Sequence, residues 1–242
     1  MSNVFLDDTW RDIPANYETK FKTVRCNEPA PQHVTMVSHA KGMENLYFVN
    51  SKAVRSGDTP TPAPVTPAAE TPTDKETMAL GHQYLHAITR HHGSTLKHLL
   101  FSDQWAFGQD DIRDIIRFCP NLEQLGLAID TFEDLSTIRL LIPFLPRLHS
   151  IRFLPNEVME HFVRDVAVED QFALLGEELE KAGARHVSYL GFGDRIMHAG
   201  KSYVDDNGQW RKDVTLCRFE DVEHIEIWGL DRLDISLDPL AT

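Results

Sequence analysis

The feature that most constrains the fold is a short apolar pattern that recurs along the chain. In "NLEQLGLAID" the apolar residues Leu122, Leu125 and Leu127 are separated by two variable positions and then by one. The same spacing occurs in "GMENLYFVNS", "TLKHLLFSDQ", "RLHSIRFLPN", "HVSYLGFGDR" and "DVEHIEIWGL". The steps from Leu96 to Leu122 and from Leu122 to Leu148 are both 26 residues, so the pattern indicates an internal repeat rather than one isolated strand.

Between these strand-like segments the apolar residues take a helical spacing. It is found in "ETMALGHQYLHAITRHHG", "QDDIRDIIRFCP", "FEDLSTIRLLIPFLP" and "EDQFALLGEELEKAG". In the second of these, Ile112, Ile115 and Cys119 share one helix face, and Pro120 ends the helix. Each unit is therefore predicted to be a strand, a turn and a helix. Stacked units of this kind give an α/β fold with a parallel sheet.

This repeat resembles the leucine-rich repeat, in particular the cysteine-containing subtype of roughly 26 residues that is common in F-box proteins and their fungal relatives. "CPNLEQLGLAID" is the closest match, because this subtype often carries Cys-Pro-x-Leu before its strand. At the final Asn or Cys position of the family motif, only Asn156 matches strictly. The resemblance covers residues 40–155 well and 170–230 loosely. It implies a leucine-rich-repeat solenoid, with a curved parallel sheet on the concave side and helices on the convex side.

The predicted organisation is one continuous solenoid domain that is interrupted once. Residues 1–55 are assigned to an N-terminal cap and the first repeat. Residues 56–77, "SGDTPTPAPVTPAAETPTDKET", are predicted to be a disordered insertion, because they contain no periodic apolar residues. Residues 78–242 are assigned to further repeats and a C-terminal cap. The Asn207-Gly208 pair predicts a hairpin insertion near 203–214.

Composition limits the compartment and the classes of partner. The net charge of −13 argues against binding to nucleic acid or to an anionic membrane. Three widely spaced cysteines, no signal peptide and no glycosylation sequon indicate free thiols in an intracellular compartment, either cytoplasmic or nuclear. No apolar run approaches the roughly 18 residues that a membrane span needs.

Sequence motifs for catalysis are absent, so we predict no enzyme, no catalytic residue and no cofactor. The chain has no phosphate-binding loop, no dinucleotide-binding glycine motif and no nucleophile elbow. A different hypothesis uses the histidine-rich helix, where His82 and His86 lie four residues apart. Together with acidic residues such as Asp103 and Asp130, these histidines could serve a small metal-dependent hydrolase. No third ligand is evident in the sequence, so no metal site is assigned.

The residues between the inward apolar positions are predicted to form the concave face. They combine aromatic residues, a cation and small residues with little charge, which is typical of a protein-binding surface. The predicted partner-binding residues are Tyr47, His98, Gln124, Arg152, Tyr189, His224, Glu226 and Trp228. The leading hypothesis is therefore an intracellular module that binds a protein partner on this face.

The family resemblance extends the hypothesis to substrate recognition by F-box subunits of ubiquitin ligases. An F-box of some forty residues would be expected before the repeats. The first 40 residues show neither a Leu-Pro-x-Glu start nor a three-helix pattern. Binding to the ligase adaptor is therefore left open, with two alternatives: a truncated relative, or a protein that works without the ligase.

Overall fold

The structure, a computed structural model, describes residues 4–5, 20–27, 29–49, 74–130, 136–156, 159, 164–193, 195–204, 208 and 210–233. Most of the predicted proline-rich insertion, residues 56–73, lies outside the described residues. Its last residues, 74–77, form the start of a helix, so the predicted boundary at residue 77 is wrong. The helix extends beyond its apolar stripe because Asp74 and Glu76 interact favourably with the positive end of the helix dipole.

Strands and helices alternate along much of the chain. The strands are β1 (Val4–Phe5), β2 (Thr23–Cys26), β3 (Asn45–Phe48), β4 (His98–Leu100), β5 (Ala106–Phe107), β6 (Gln124–Ile129), β7 (Ser150–Phe153), β8 (Tyr189–Phe192), β9 (Arg195–Val204) and β10 (Trp210–Cys217). The helices are α1 (Pro31–His39), α2 (Asp74–His91), α3 (Gln109–Phe118), α4 (Ser136–Leu141), α5 (Val168–Lys181) and α6 (Glu226–Leu233). Short 3-10 helices span Ile142–Phe144 and Phe219–Asp221.

The sheet is mostly parallel, as the repeat pattern predicts. Its strand order is β1-β2-β3-β4-β6-β7-β8-β9-β10, and β5 pairs separately with β6. The strands from β1 to β8 run parallel, whereas β9 and β10 are antiparallel to their neighbours. The fold is therefore a mixed α/β arrangement. Among the described strands the sheet is open, with β1 and β10 at its two edges.

The strand register aligns the repeats as their spacing predicts. Leu46, Leu99, Leu125, Ile151 and Leu190 are successive Cα partners from β3 to β8. These are the central apolar positions of five of the sequence matches, and all are fully buried. A slip of one residue would move each of them to the opposite side of the sheet. Burial of this row therefore specifies the register.

The segment that best matches the repeat is buried as predicted. Cys119, Leu122, Leu125 and Leu127 all have no exposed surface. Burial raises the pKa of the Cys119 thiol to about 12, so this cysteine behaves as a small apolar residue.

Residues of each strand alternate between two buried clusters on opposite sides of the sheet. On β3, Leu46 and Phe48 belong to the main cluster, whereas Tyr47 belongs to the second. The main cluster also contains the apolar stripes of helices α1 to α5. The second cluster contains apolar side chains from α6 and from the segment just before it. Helices therefore pack on both sides of the sheet.

The sixth sequence match, "DVEHIEIWGL", is not a strand, so this prediction is wrong. Residues 222–225 form turns, and Glu226–Leu233 form helix α6. The apolar residues Val222, Ile225 and Trp228 fit a helical spacing as well as a strand pattern. In addition, the antiparallel strands β9 and β10 end the run of parallel strands before the chain reaches this segment.

A strand and a helix precede the first predicted strand. In "FKTVRC" the residues Phe21, Val24 and Cys26 follow the repeat spacing, with cysteine in the third apolar position. β2 pairs in parallel with β3 and places Val24 beside Leu46. The N-terminal region assigned to residues 1–55 thus contains a strand–helix–strand arrangement, β2–α1–β3, in its described part.

The predicted hairpin is confirmed, but it is longer than predicted. β9 and β10 pair antiparallel from Val204 and Trp210 back to Ile196 and Cys217, rather than over 203–214 alone. Gly208, between the strands, has φ of +77°, which favours glycine. Asn207 lies outside the described residues. Because β9 also pairs with β8, the hairpin adds two strands to the sheet.

The central row of buried leucines supports a first prediction. Leu125→Ala should lower the free energy of unfolding by about 2–5 kcal/mol, since it leaves a cavity in the middle of the main cluster. Leu216→Ala is the matched control, because Leu216 is largely exposed on β10 and its removal should cost no more than about 0.5 kcal/mol. Urea denaturation followed by circular dichroism measures both changes. Equal losses in the two variants would contradict the assigned register.

A row of alternating charges lies just before the parallel strands. Lys22, Glu44, Lys97 and Glu123 occupy successive positions, and the backbone N–H of each later residue donates to the carbonyl of the one before it. Glu44 bridges its neighbours, with Oε1 2.9 Å from Lys22 Nζ and Oε2 2.8 Å from Lys97 Nζ. Hydrogen bonds and charge interactions with Lys97 and Lys22 lower the pKa of Glu44 to about 2. The row therefore supports the same register as the leucines.

The depressed pKa of Glu44 predicts a pH-dependent contribution to stability. Because this pKa lies below the ordinary value, Glu44 stabilises the fold fully above about pH 4.5, and the contribution is lost as the pH falls towards 2. Glu44→Gln should therefore be less stable than the wild type at neutral pH, and the difference should shrink on acidification. Thermal melting between about pH 7 and pH 3 measures it. A pH-independent difference, or the same pH profile for Glu223→Gln at an exposed site, would contradict the prediction.

Candidate functional site

Two neighbouring rows of strand residues form one side of the sheet. The first row contains Asn45, His98, Gln124, Ser150 and Tyr189, and the second contains Tyr47, Leu100, Gly126, Arg152 and Gly191. Members of a row are cross-strand partners, and the rows lie two residues apart, so both face the same way. We call this surface the α6 face. It brings together the five predicted site residues that lie on strands: Tyr47, His98, Gln124, Arg152 and Tyr189.

The α6 face is covered by helix α6, so most of the predicted partner-binding residues are buried within the chain rather than exposed. Tyr47 is 3% exposed, Gln124 and Arg152 are each 6% exposed, and Trp228 is 1% exposed. Of the three predicted residues outside the strands, Trp228 is buried against the sheet, whereas His224 and Glu226 are exposed. His224 lies just before α6, and Glu226 lies at its start and contacts His98 of the sheet. The chain thus fills the face with its own C-terminal segment.

Polar side chains of the sheet contact the N-terminal end of α6. The Tyr47 hydroxyl donates a hydrogen bond to Glu226 Oε2, and His98 Nδ1 lies 2.7 Å from the same oxygen. The Gln124 Oε1 atom accepts a bond from the backbone N–H of Ile227 at 3.4 Å. First-turn N–H groups have no partner within a helix, and carboxylates are favourable near this end. These contacts therefore fix both the position and the direction of α6.

Two arginines of the sheet contact backbone carbonyls of α6. Arg152 Nη1 donates to the carbonyl oxygen of Ile227 at 2.8 Å, and Arg25 Nη2 donates to that of Leu230 at 3.5 Å. Both guanidinium groups are mostly buried beneath the helix. Buried charges require such hydrogen bonds. The sequence pattern missed Arg25, because it lies on β2, which was not recognised as a strand.

An aromatic contact fills the space above β8. Trp228 packs on Gly191, where an added Cβ would lie 3.0 Å from the indole Nε1 atom and 3.1 Å from Cζ2. The Tyr189 ring meets the indole edge-on, with centroids 6.2 Å apart. The sequence alone assigns no role to Gly191. Its importance depends on which residue faces it from another element.

Two titratable groups where the sheet meets α6 are shifted towards their neutral forms. Burial lowers the pKa of His98, and the partial burial of Glu226 raises the pKa of its carboxyl. His98 also lies near Glu123, whose Oε2 is 3.7 Å from His98 Nε2. Ser150 Oγ is 3.0 Å from His149 Nδ1, but Ser150 is completely buried, so it cannot act as a nucleophile on a substrate in solvent. The arrangement is suited to binding a polypeptide segment.

The histidine-rich helix does not assemble into a metal site in the described part of the chain. His82 and His86 are exposed on α2, and His82 Nε2 lies 3.6 Å from Asp111. His92 is buried, with Nε2 2.6 Å from the carbonyl oxygen of Val37. Among the described residues, no group of three or more His, Cys, Asp or Glu side chains could hold a metal ion.

Comparisons of the chain with protein-family models, curated proteins and solved structures find no match. Within the described residues, the helices are too short or too polar to cross a lipid bilayer.

The fit between Gly191 and Trp228 leads to a prediction about α6. Gly191→Ala should destabilise the protein by about 1–3 kcal/mol, since the new methyl group overpacks against the indole. Gly200→Ala in β9 is the matched control, because its Cβ would make only ordinary contacts, at 3.4 Å or more. In the Trp228→Leu background, Gly191→Ala should lower the free energy of unfolding by less than it does in the wild type. A double-mutant cycle from urea denaturation measures this coupling, and additive effects would contradict the contact.

Proposed function

We propose that the chain is a protein-interaction module of the leucine-rich-repeat type, and that the α6 face is its binding surface. One observation carries the proposal: this face already binds a polypeptide segment, α6, through side chains contributed by successive parallel strands. Tyr47, His98, Gln124 and Arg152 all contact α6. Repeat proteins characteristically bind their partners through a surface to which each successive unit contributes residues at equivalent positions.

Two further features support the repeat reading within this proposal. The aligned central row of leucines recurs from unit to unit. Asn156, the residue that matches the family motif, donates a hydrogen bond from Nδ2 to the carbonyl oxygen of Ile129, 2.6 Å away in the preceding unit. Its Oδ1 accepts from the backbone N–H of Met159. An asparagine that links consecutive units in this way fits a stacked architecture.

We extend the proposal to the class of partner. The resemblance of "CPNLEQLGLAID" to F-box-associated repeats suggests recognition of a protein substrate for a ubiquitin ligase. On this proposal the α6 face contacts the substrate. The adaptor of the ligase would contact a different part of the assembly.

Affinity capture from an extract of the native cells tests this function. Trp228→Ala should increase recovery of a specific partner, because it weakens the cover of the face. Adding Arg152→Glu should abolish that recovery, since it places a like charge where an anchoring cation lies. Quantitative mass spectrometry of the captured proteins measures both changes, and the presence of a cullin-ligase adaptor among them reports on the ubiquitin proposal.

Phe144→Ala serves as the control, because this residue is 60% exposed and belongs to a helical segment away from the α6 face. Circular dichroism confirms that each variant is folded before capture. If the folded variants and the wild type all capture the same proteins in equal amounts, the α6 face is not the binding surface.

A further inference from the structure

We propose that the natural ligand of the α6 face is an amphipathic helix of a partner protein. That helix would carry an acidic residue in its first turn and a large apolar residue two positions later. In the free protein, helix α6 would occupy the site of the partner helix, and it would compete with the partner helix for binding. This inference rests on the proposed function, and it specifies the chemistry of the partner.

The polar contacts define a helix with a fixed direction. Tyr47 and His98 converge on one carboxylate oxygen of Glu226, at the start of α6. The Gln124 side chain accepts from the next backbone N–H, that of Ile227. An acidic residue followed by free first-turn N–H groups occurs only at the N-terminal end of a helix. The face therefore selects ligands whose N-terminal end lies over β3, β4 and β6.

The remaining polar contacts do not depend on the ligand's side chains. Arg152 and Arg25 donate to backbone carbonyls of α6, at Ile227 and Leu230. Any helix that enters in the same direction presents carbonyls at these positions. The two arginines thus recognise a helical backbone, whereas selectivity comes from the acidic residue and from the Trp228 position.

The Trp228 position forms a shape-specific pocket with an imperfect occupant. Gly191 leaves room for a large ring, and Tyr189 borders it. The indole Nε1 atom is buried and has no hydrogen-bond partner among the described residues. A buried donor without an acceptor is unfavourable. A partner residue without this N–H, such as phenylalanine, would fill the same space without that cost.

Helix α6 is also a weak competitor by its own composition. Its described part, Glu226–Leu233, has eight residues, and an isolated helix of that length is not stable in water. Gly229 lies inside it, which disfavours the helical state. A longer partner helix without glycine would form more readily on the same contacts. Binding of the partner helix would then displace α6 from the α6 face.

Peptide binding to the full chain tests the inference. The probe is a fluorescein-labelled peptide with the sequence of residues 219–233, "FEDVEHIEIWGLDRL", and fluorescence anisotropy gives its Kd. It should bind the Trp228→Ala chain at least about tenfold more tightly than the wild type, in which α6 competes. Peptides with Glu226→Lys or Trp228→Ala should bind about tenfold more weakly than the native peptide. A Trp228→Phe peptide should keep the native affinity or improve on it.

Gly191→Leu in the Trp228→Ala chain blocks the pocket and should abolish binding. If the Trp228→Ala chain does not fold, hydrogen exchange on the wild type replaces it: saturating peptide should speed exchange of the α6 amides. Equal affinity for the native and Trp228→Ala peptides, or no binding by a folded chain, would overturn the proposal. So would a wild-type dimer formed by exchange of α6, since it would make a second copy the occupant. If capture from extract still depends on Arg152 when the peptide fails, the interaction function stands and only the helical ligand is excluded.

Discussion

The structure depends on one cross-strand row, in which Leu46, Leu99, Leu125, Ile151 and Leu190 lie side by side in the main core. Because side chains alternate along a strand, this row also determines what faces the other way. Leu100, Gly126 and the residues in line with them are therefore carried to the α6 face. The alternating charges of Lys22, Glu44 and Lys97 support the same register from the edge of the sheet. The main core and the α6 face are thus two consequences of a single alignment.

Much of this arrangement can be predicted from the sequence, because it is encoded locally. Three apolar residues at fixed spacing specify a strand, and an apolar stripe with a terminal proline or glycine specifies a helix. Repetition of the same unit then implies parallel stacking. These signals placed five strands in register and identified which strand residues share the second face. The strand in "FKTVRC" was not predicted, because Cys26 occupies the position at which the other units have leucine or phenylalanine.

The covering of the α6 face by helix α6 could not be predicted in this way, because it depends on a contact between segments that are distant in the sequence. Val222, Ile225 and Ile227 satisfy the strand pattern of the repeat, and Trp228 completes a helical spacing with the first two, so periodicity does not decide between them. The choice is made by tertiary structure. After β9 and β10 turn the sheet antiparallel, the chain returns across it, and helix α6 satisfies its own backbone while burying these side chains. Gly191 and Arg25 acquire their roles only through this return.

The covering of the α6 face follows from a general property of parallel sheets, which are normally buried on both sides. Helices α1 to α5 cover one side, and α6 covers part of the other. Burying an apolar side chain such as Ile227 stabilises the docked helix by about 1.5–3 kcal/mol. Ordering each residue of the segment costs about 1–2 kcal/mol, which opposes this stabilisation. A partner that replaces α6 must therefore bury the same apolar side chains, such as Leu100. It must also offer carbonyl groups to Arg25 and Arg152, because a buried cation that loses such a hydrogen bond destabilises the complex more than a weak contact stabilises it. A helix meets both conditions, since its apolar stripe covers the sheet while its carbonyls face the arginines.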